Sequence, residues 1–240
     1  MFDNSIGKRK LLESLKGGLI VSCQAREGWP MYGKEIMAAF AKAAEDGGAV
    51  GIRANKPESI SEICKKVNLP VIGINKIWNK DYEVYITPTY QSAVEIIEAG
   101  SSIIALDCTK RPRPNRETFG QIIERLREKY PDILIMADIS TLEEGIEASR
   151  EGVDLVSTTL SGYTEYTKHI TGTDFKLIER LKEAIDTPVI AEGKIHSPED
   201  AKRAIESGAY AVVVGTAITR PEIITRWYSD KLKEISQDNL

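Results

Sequence analysis

Eight short apolar runs, each followed by a helical pattern, recur along almost the whole of this 240-residue chain, and no other feature restricts its fold so tightly. The runs are GLIVSCQ (18–24), AVGIRA (49–54), PVIGINK (70–76), SIIALDC (102–108), ILIMADI (133–139), DLVSTTL (154–160), PVIAEGK (188–194) and AVVVGTA (211–217). A run without polar alternation reads as a strand covered on both faces, the condition of strands in a parallel sheet. The stretches between them read as helices: KEIMAAFAKAAEDGG ends in glycines that stop a helix, and SPEDAKRAIESGA opens with the serine, proline and acids that start one. Eight such βα units in this length fit a closed (β/α)8 TIM barrel better than an open sheet. The turns AEDGGAV, IEAGSSI, SREGVDL and IESGAYA repeat one small-residue form before a strand, as repeated units of one barrel would. The expectation is a single α/β domain over residues 1–240, with a short N-terminal helix at about 5–16. No G-x-G-x-x-G follows the first run, which counts against a dinucleotide-binding fold.

Composition excludes several classes of function. A hydrophobic content of 42% supports one large core, and a net charge of −4 with no lysine and arginine block argues against capture of nucleic acid or an anionic membrane. No segment approaches the roughly 20 apolar residues of a membrane span, and MFDNSIGKRK lacks the apolar stretch of a signal peptide, so a cytoplasmic location is expected. Cys23, Cys64 and Cys108 are odd in number and lack C-x-x-C spacing, which points to core residues and not to disulfides or structural zinc.

In this fold catalytic groups collect at the C-terminal ends of the strands. Here those ends give Gln24, Arg53, Lys76, Asp107, Asp138, Thr158 or Thr159, Glu192 and the backbone around Gly215 and Thr216. One polar residue per strand end, on runs otherwise apolar, marks a site at this face. Lys76 in NLPVIGINKIW raises the sharpest question, because an ammonium inside a buried run is costly. Either it serves the site or it is a solvated lysine opening a loop. Gly193 follows the seventh run, Gly215, Thr216 and Ala217 follow the eighth, and Arg220 opens the last helix. Glycines let backbone N–H groups approach an anion, and the last two βα turns are this fold's frequent phosphate site. His169 and His196 lack the acid-and-histidine pattern of a metal-dependent sugar-phosphate epimerase and read as polar loop residues. No metal is expected. Trp29, Trp78 and Trp227 read as packing or loop anchors.

Taken together, GLIVSCQA, GGAVGIRA, LPVIGINK, ITPT, IIALDCT, IMADIST, TTLSGYT, VIAEGKI and GTAITRP resemble the bacterial N-acetylmannosamine-6-phosphate 2-epimerases from Gly17 to about Trp227. The resemblance implies a (β/α)8 barrel that interconverts N-acetylmannosamine 6-phosphate and N-acetylglucosamine 6-phosphate in sialic acid and amino-sugar catabolism, without a metal or organic cofactor. It also implies catalytic roles for Lys76 and Glu192, substrate binding by Gln24, Arg53 and Asp138, and phosphate binding by Arg220. One departure stands out. The family usually follows its lysine with arginine, aspartate and tyrosine, whereas KIWNKDY delays Asp81 and Tyr82, so the loop after the third strand is expected to be reshaped.

Inverting C2 of an N-acetylhexosamine requires removal of a carbon-bound proton, which is acidified only when C1 is a carbonyl. The sugar should therefore react in its open-chain form. Lys76 can act as the base if burial and a nearby Arg53 disfavour its ammonium, with Glu192 shuttling protons or polarising oxygens. Two alternatives share parts of the pattern: another phosphate-binding barrel isomerase, acting on a ribulosyl or anthranilate phosphate, and a non-catalytic sugar-phosphate sensor. The final helix, PEIITRWYSDKLKEIS, carries Ile223, Ile224, Trp227, Tyr228, Leu232 and Ile235 at helical spacing. It is expected to form a homodimer interface, with packing on its own barrel as the alternative.

Overall fold

In the computed structural model, residues 4–238 are described, with side chains over 7–234. Helix α1 (Asn4–Leu15) precedes eight strands: β1 (Leu19–Cys23), β2 (Gly51–Asn55), β3 (Val71–Ile74), β4 (Ile103–Asp107), β5 (Leu134–Asp138), β6 (Leu155–Ser157), β7 (Val189–Glu192) and β8 (Ala211–Val214). They pair in parallel in chain order, and β8 closes on β1. Helices α2 (Lys34–Asp46), α3 (Pro57–Lys66), α4 (Tyr90–Glu98), α5 (Phe119–Lys129), α6 (Leu142–Arg150), α7 (Phe175–Ala184) and α8 (Pro198–Glu206) alternate with the strands. The chain ends in α9 (Thr216–Thr219) and α10 (Pro221–Asp238). This is the closed (β/α)8 barrel expected from the eight runs.

The two-residue period of a strand divides the core in two. Ile52, Ile104, Leu106, Ile135, Ala137, Val156 and Ala191 point outward to the helices, whose buried faces include Ile60, Ile63, Ile96, Ile122 and Leu126. Ile20, Ile72, Ile74, Ile103, Ala105, Leu134, Met136, Leu155, Ile190, Ala211 and Val213 fill the barrel, and Leu15 of α1 belongs to the same cluster. Side-chain caps set the helix starts: Thr89, Thr118, Thr141 and Ser197 each form a reciprocal box with the residue three positions on, and Asp174 caps α7.

The same period explains where polar groups emerge. One inward position beyond the apolar layer stand Ser22, Arg53, Asp107, Asp138, Ser157 and Glu192, each two residues from an inward or strand-paired position of its own strand. The structure shortens several runs. Lys76 lies two residues beyond β3, held at the start of the β3–α4 loop by a bridge to Ile86. Arg220 separates α9 from α10. Helix α10 packs mainly on α9, and Trp227, Tyr228 and Leu232 remain 38%, 73% and 66% exposed. The side chain of Ile235 lies outside the described residues.

Candidate active site

A cavity of about 270 Å³ opens at the C-terminal end of the barrel. It is lined by Gln24, Arg53, Lys76, Glu192, Gly193, Gly215, Thr216 and Arg220, and by Ser22, Arg26, Trp29, Tyr85, Thr159, Tyr163, Lys194 and His196. Strand β2 delivers Arg53 to its floor with 1% of the side chain exposed. The guanidinium donates to both oxygens of Asp138, at 3.1 and 2.6 Å, and to Glu192 Oε2 at 2.8 Å. Thr159 Oγ1 lies 2.7 Å from Asp138 Oδ1, 3.1 Å from Glu192 Oε2 and 2.8 Å from Ser157 Oγ. Burial opposes charge on Arg53, but the Asp138 and Glu192 carboxylates outweigh it and raise its pKa above the ordinary value. Arg53 is a fixed cation whose Nε–H has no partner in this network.

Asp138, expected to bind substrate, pairs directly with Arg53. Its side chain is fully buried, is absent from the cavity lining, and is occupied by Arg53 and Thr159. It acts on the cavity through the groups it fixes. Gln24 does face the cavity: its Nε2 donates to Ser22 Oγ at 2.7 Å, and its buried Oε1 has no partner among the described residues.

Lys76 contrasts with Arg53. Its backbone is anchored by its N–H to Asn55 Oδ1 at 2.9 Å and by Ile77 N–H to Tyr85 O at 2.9 Å. Among the described residues its ammonium makes no hydrogen bond or ion pair, and Nζ lies 6.0 Å from the centre of the Tyr85 ring. Burial pulls its pKa from 10.5 down to about 8, with Arg53 and Arg26 acting in the same direction and Glu192 and Asp138 opposing. Burial also pushes Glu192 up to about 6, helped by Asp138 and resisted by Arg53, Thr159 and Lys76. The two groups therefore approach each other in proton affinity, as a pair exchanging protons near neutral pH requires.

At the other side of the cavity, Gly193 has φ 111°, a conformation that favours glycine. Gly215 precedes α9 and its carbonyl accepts from the N–H groups of Ile218 and Thr219, both at 2.9 Å, which leaves those of Thr216 and Ala217 without a helical partner. Arg220 stacks 3.5 Å from the Trp29 ring centre and pairs with Glu222 at 2.7 Å through Nε and Nη2. The Lys194 ammonium donates to the carbonyls of Ser161 and Ile170 and sits 4.7 Å from the Tyr163 ring centre. His196 lies on the rim, 5.0 Å from the Trp227 ring, and among the described residues no group of three or more His, Cys, Asp and Glu is placed to hold a metal ion.

Sequence reasoning missed Arg26, Tyr85, Tyr163 and Lys194 as cavity residues. Lys194 stood at the end of the seventh run, but the others lie on loops, where no period signals direction.

Fold and cavity together define a (β/α)8-barrel protein with a cavity lined by charged residues at the C-terminal face. The chain matches the family described as "Putative N-acetylmannosamine-6-phosphate epimerase" over residues 37–234. Proteins named "Putative N-acetylmannosamine-6-phosphate 2-epimerase" are similar to it in Caldanaerobacter subterraneus subsp. tengcongensis, at 55% identity over 96% of this chain and 97% of that one, and in Clostridioides difficile, at 52% over 90% and 96%. The solved structure of the N-acetylmannosamine-6-phosphate 2-epimerase from Clostridium perfringens is 48% identical, with a TM-score of 0.89 over 92% of this chain and 95% of that chain. This chain belongs to the N-acetylmannosamine-6-phosphate 2-epimerase family. A thiamine phosphate pyrophosphorylase from Pyrococcus furiosus, 18% identical with a TM-score of 0.57 over 87% of this chain and 89% of that chain, shares the fold alone.

Proposed function

We propose that this protein inverts C2 of N-acetylmannosamine 6-phosphate to give N-acetylglucosamine 6-phosphate, with Lys76 removing the C2 proton of the open-chain sugar. The observation that carries the reading is an unpaired lysine, its pKa lowered to about 8, on the wall of the cavity that also holds Glu192. At pH 7 such a lysine is neutral roughly a tenth of the time, against about one part in several thousand for an ordinary one. Neutral Nζ takes the C2 proton, the C1 carbonyl becomes an enolate oxygen, and return of a proton to the opposite face completes the inversion. Arg53 and Gln24, both in the cavity lining, bind the polar groups of the sugar. Asp138 holds Arg53 in place. Glu192 supplies or polarises the second proton. Gly193, Gly215, Thr216 and the free edge of Arg220 receive the phosphate, whose grip orients C2 toward Lys76.

Incubation of the purified protein with N-acetylmannosamine 6-phosphate, followed by proton NMR, tests this reading. It predicts accumulation of N-acetylglucosamine 6-phosphate with no added metal. Binding without turnover would instead support a sugar-phosphate sensor.

We also infer a homodimer built on α10. Its exposed Trp227, Tyr228 and Leu232 have little barrel to cover, while Leu19, Pro198, Ala201, Ile205, Val212 and Ile218 line an apolar groove of about 430 Å³ beside α8. The apolar side chains of a second copy's α10 match the apolar lining of that groove. Light scattering giving a monomer mass at micromolar concentration would exclude it.

A further inference from the structure

The reading above leaves a charge unaccounted for. A phosphate monoester carries about −1.5 to −2 at pH 7, and of the cations around the cavity only some are free to meet it. Arg220 shares its charge with Glu222. Lys194 is turned to two carbonyls and a tyrosine ring. Arg53 is bound by two carboxylates, and Lys76 must spend time neutral.

Arg26 is the remaining cation of the cavity lining. It is exposed on the β1–α2 loop, and among the described residues no carboxylate lies within ion-pair distance of it. Its place is nevertheless defined. The guanidinium carbon lies 5.4 Å from the Trp29 ring centre and 4.6 Å from that of Trp78, distances at which the aromatic faces attract a cation. Trp78 in turn stacks on Tyr85 at 5.8 Å. Arg220 lies 3.5 Å from the centre of the same Trp29 ring, so the two guanidinium carbons are no further apart than the sum of their distances to it. Arg220, Trp29, Arg26, Trp78 and Tyr85 thus form one ladder, of which all but Trp78 line the cavity. Trp78 belongs to KIWNKDY, the segment that departs from the expected family pattern.

We propose that Arg26 is a second arginine for the substrate phosphate, held beside Arg220 by stacking between Trp29 and Trp78. This rests on the epimerase reading for the identity of the phosphate ester. A guanidinium suits the task because its planar fork matches phosphate oxygens, its charge persists at every physiological pH, and its faces remain free to stack. Trp78 is a positioning residue, fixing Arg26 from the β3–α4 loop.

Inorganic phosphate, titrated calorimetrically into the full chain, separates this inference from the function it rests on. Arg26→Gln should weaken phosphate binding and raise KM for N-acetylmannosamine 6-phosphate about tenfold, the low end for a hydrogen bond to a charged group, with kcat within about twofold. Arg26→Lys should recover part of the loss. Trp78→Ala should weaken phosphate binding by a smaller factor, and Trp78→Phe should restore it, which a merely structural role would not require. Wild-type phosphate affinity in Arg26→Gln, or a fall in kcat at unchanged KM, would overturn the proposal even if the wild type epimerises. Absence of epimerisation in the wild type would overturn the function instead, while the phosphate titration would still decide Arg26.

Discussion

Asp107 and Asp138 face each other across β4 and β5 in direct register, both fully buried and both paired with arginine. Asp138 takes its arginine from β2, far along the chain, and that arginine reaches on to Glu192. Asp107 takes Arg111 at 2.7 Å from its own loop, with Arg113 3.9 Å away and Thr109 donating through N–H and hydroxyl at 3.0 and 2.7 Å. Neither carboxylate lines the cavity, yet only the Asp138 cluster presents groups that do. A buried ion pair is therefore no mark of a reacting centre by itself. What distinguishes the Asp138 side is a cavity lined by Arg53, by Glu192, whose pKa burial raises, and by Lys76, whose ammonium has no ion-pair partner among the described residues. The Asp107 cluster fixes the loop 107–113.

Separating the two clusters by mutation gives effects of different kinds. Lys76→Ala should lose epimerisation by about 10² to 10⁴, the usual scale of general acid–base help, without losing stability. Because folding lowers the Lys76 pKa from 10.5 to about 8, the protein binds that proton less well folded than unfolded. The resulting penalty is full below pH 8 and fades as pH rises from about 8 to 10.5. Thermal melts should then find Lys76→Ala at least as stable as wild type at pH 7, with any gain shrinking by pH 10. Asp107→Asn should do the reverse. It strands Arg111 and Arg113, at a cost of about 3 to 5 kcal/mol in denaturant unfolding, while the folded fraction keeps its kcat. A Lys76 variant that unfolds and an Asp107 variant that is stable but inactive would erase the distinction.

Glu192→Gln sharpens the reacting side. Retained C2 exchange with lost epimerisation assigns the opposite-face proton to Glu192; loss of both assigns it to the first step or to holding substrate. Arg220→Ala gives a smaller effect, about 1.5 to 3 kcal/mol, seen mainly as a raised KM. An unchanged KM would remove Arg220 from the phosphate.

Much of this was legible before any coordinates, because strand period and helix punctuation are local properties. The eight runs gave the barrel, and their polar ends gave Gln24, Arg53, Lys76, Glu192 and the glycine turns that line one cavity. The runs overshot where direction stops being local: Lys76 follows β3 by two residues, and its aim depends on the Ile86 bridge. Asp107 and Asp138 read alike in sequence because each ends an apolar run. Their arginines, four residues and 85 residues away, separate them only in space. Arg26 stands two positions after Gln24, and Trp78 two after Lys76, so the ladder was near the recognised residues. Nothing in spacing says that two loops will bring a cation between two indoles.

The central claim is that Lys76 takes the C2 proton, and isotope exchange reads that step without relying on net epimerisation. In D₂O, proton NMR of N-acetylmannosamine 6-phosphate should show deuterium entering C2 with the wild type. The rate under kcat/KM conditions should rise with pH through a midpoint near 8, following loss of the Lys76 proton. Lys76→Ala should show no exchange above background at any pH while remaining folded. Exchange at near wild-type rate in that variant would contradict the account, and Lys76 would then be a loop lysine that happens to border the cavity.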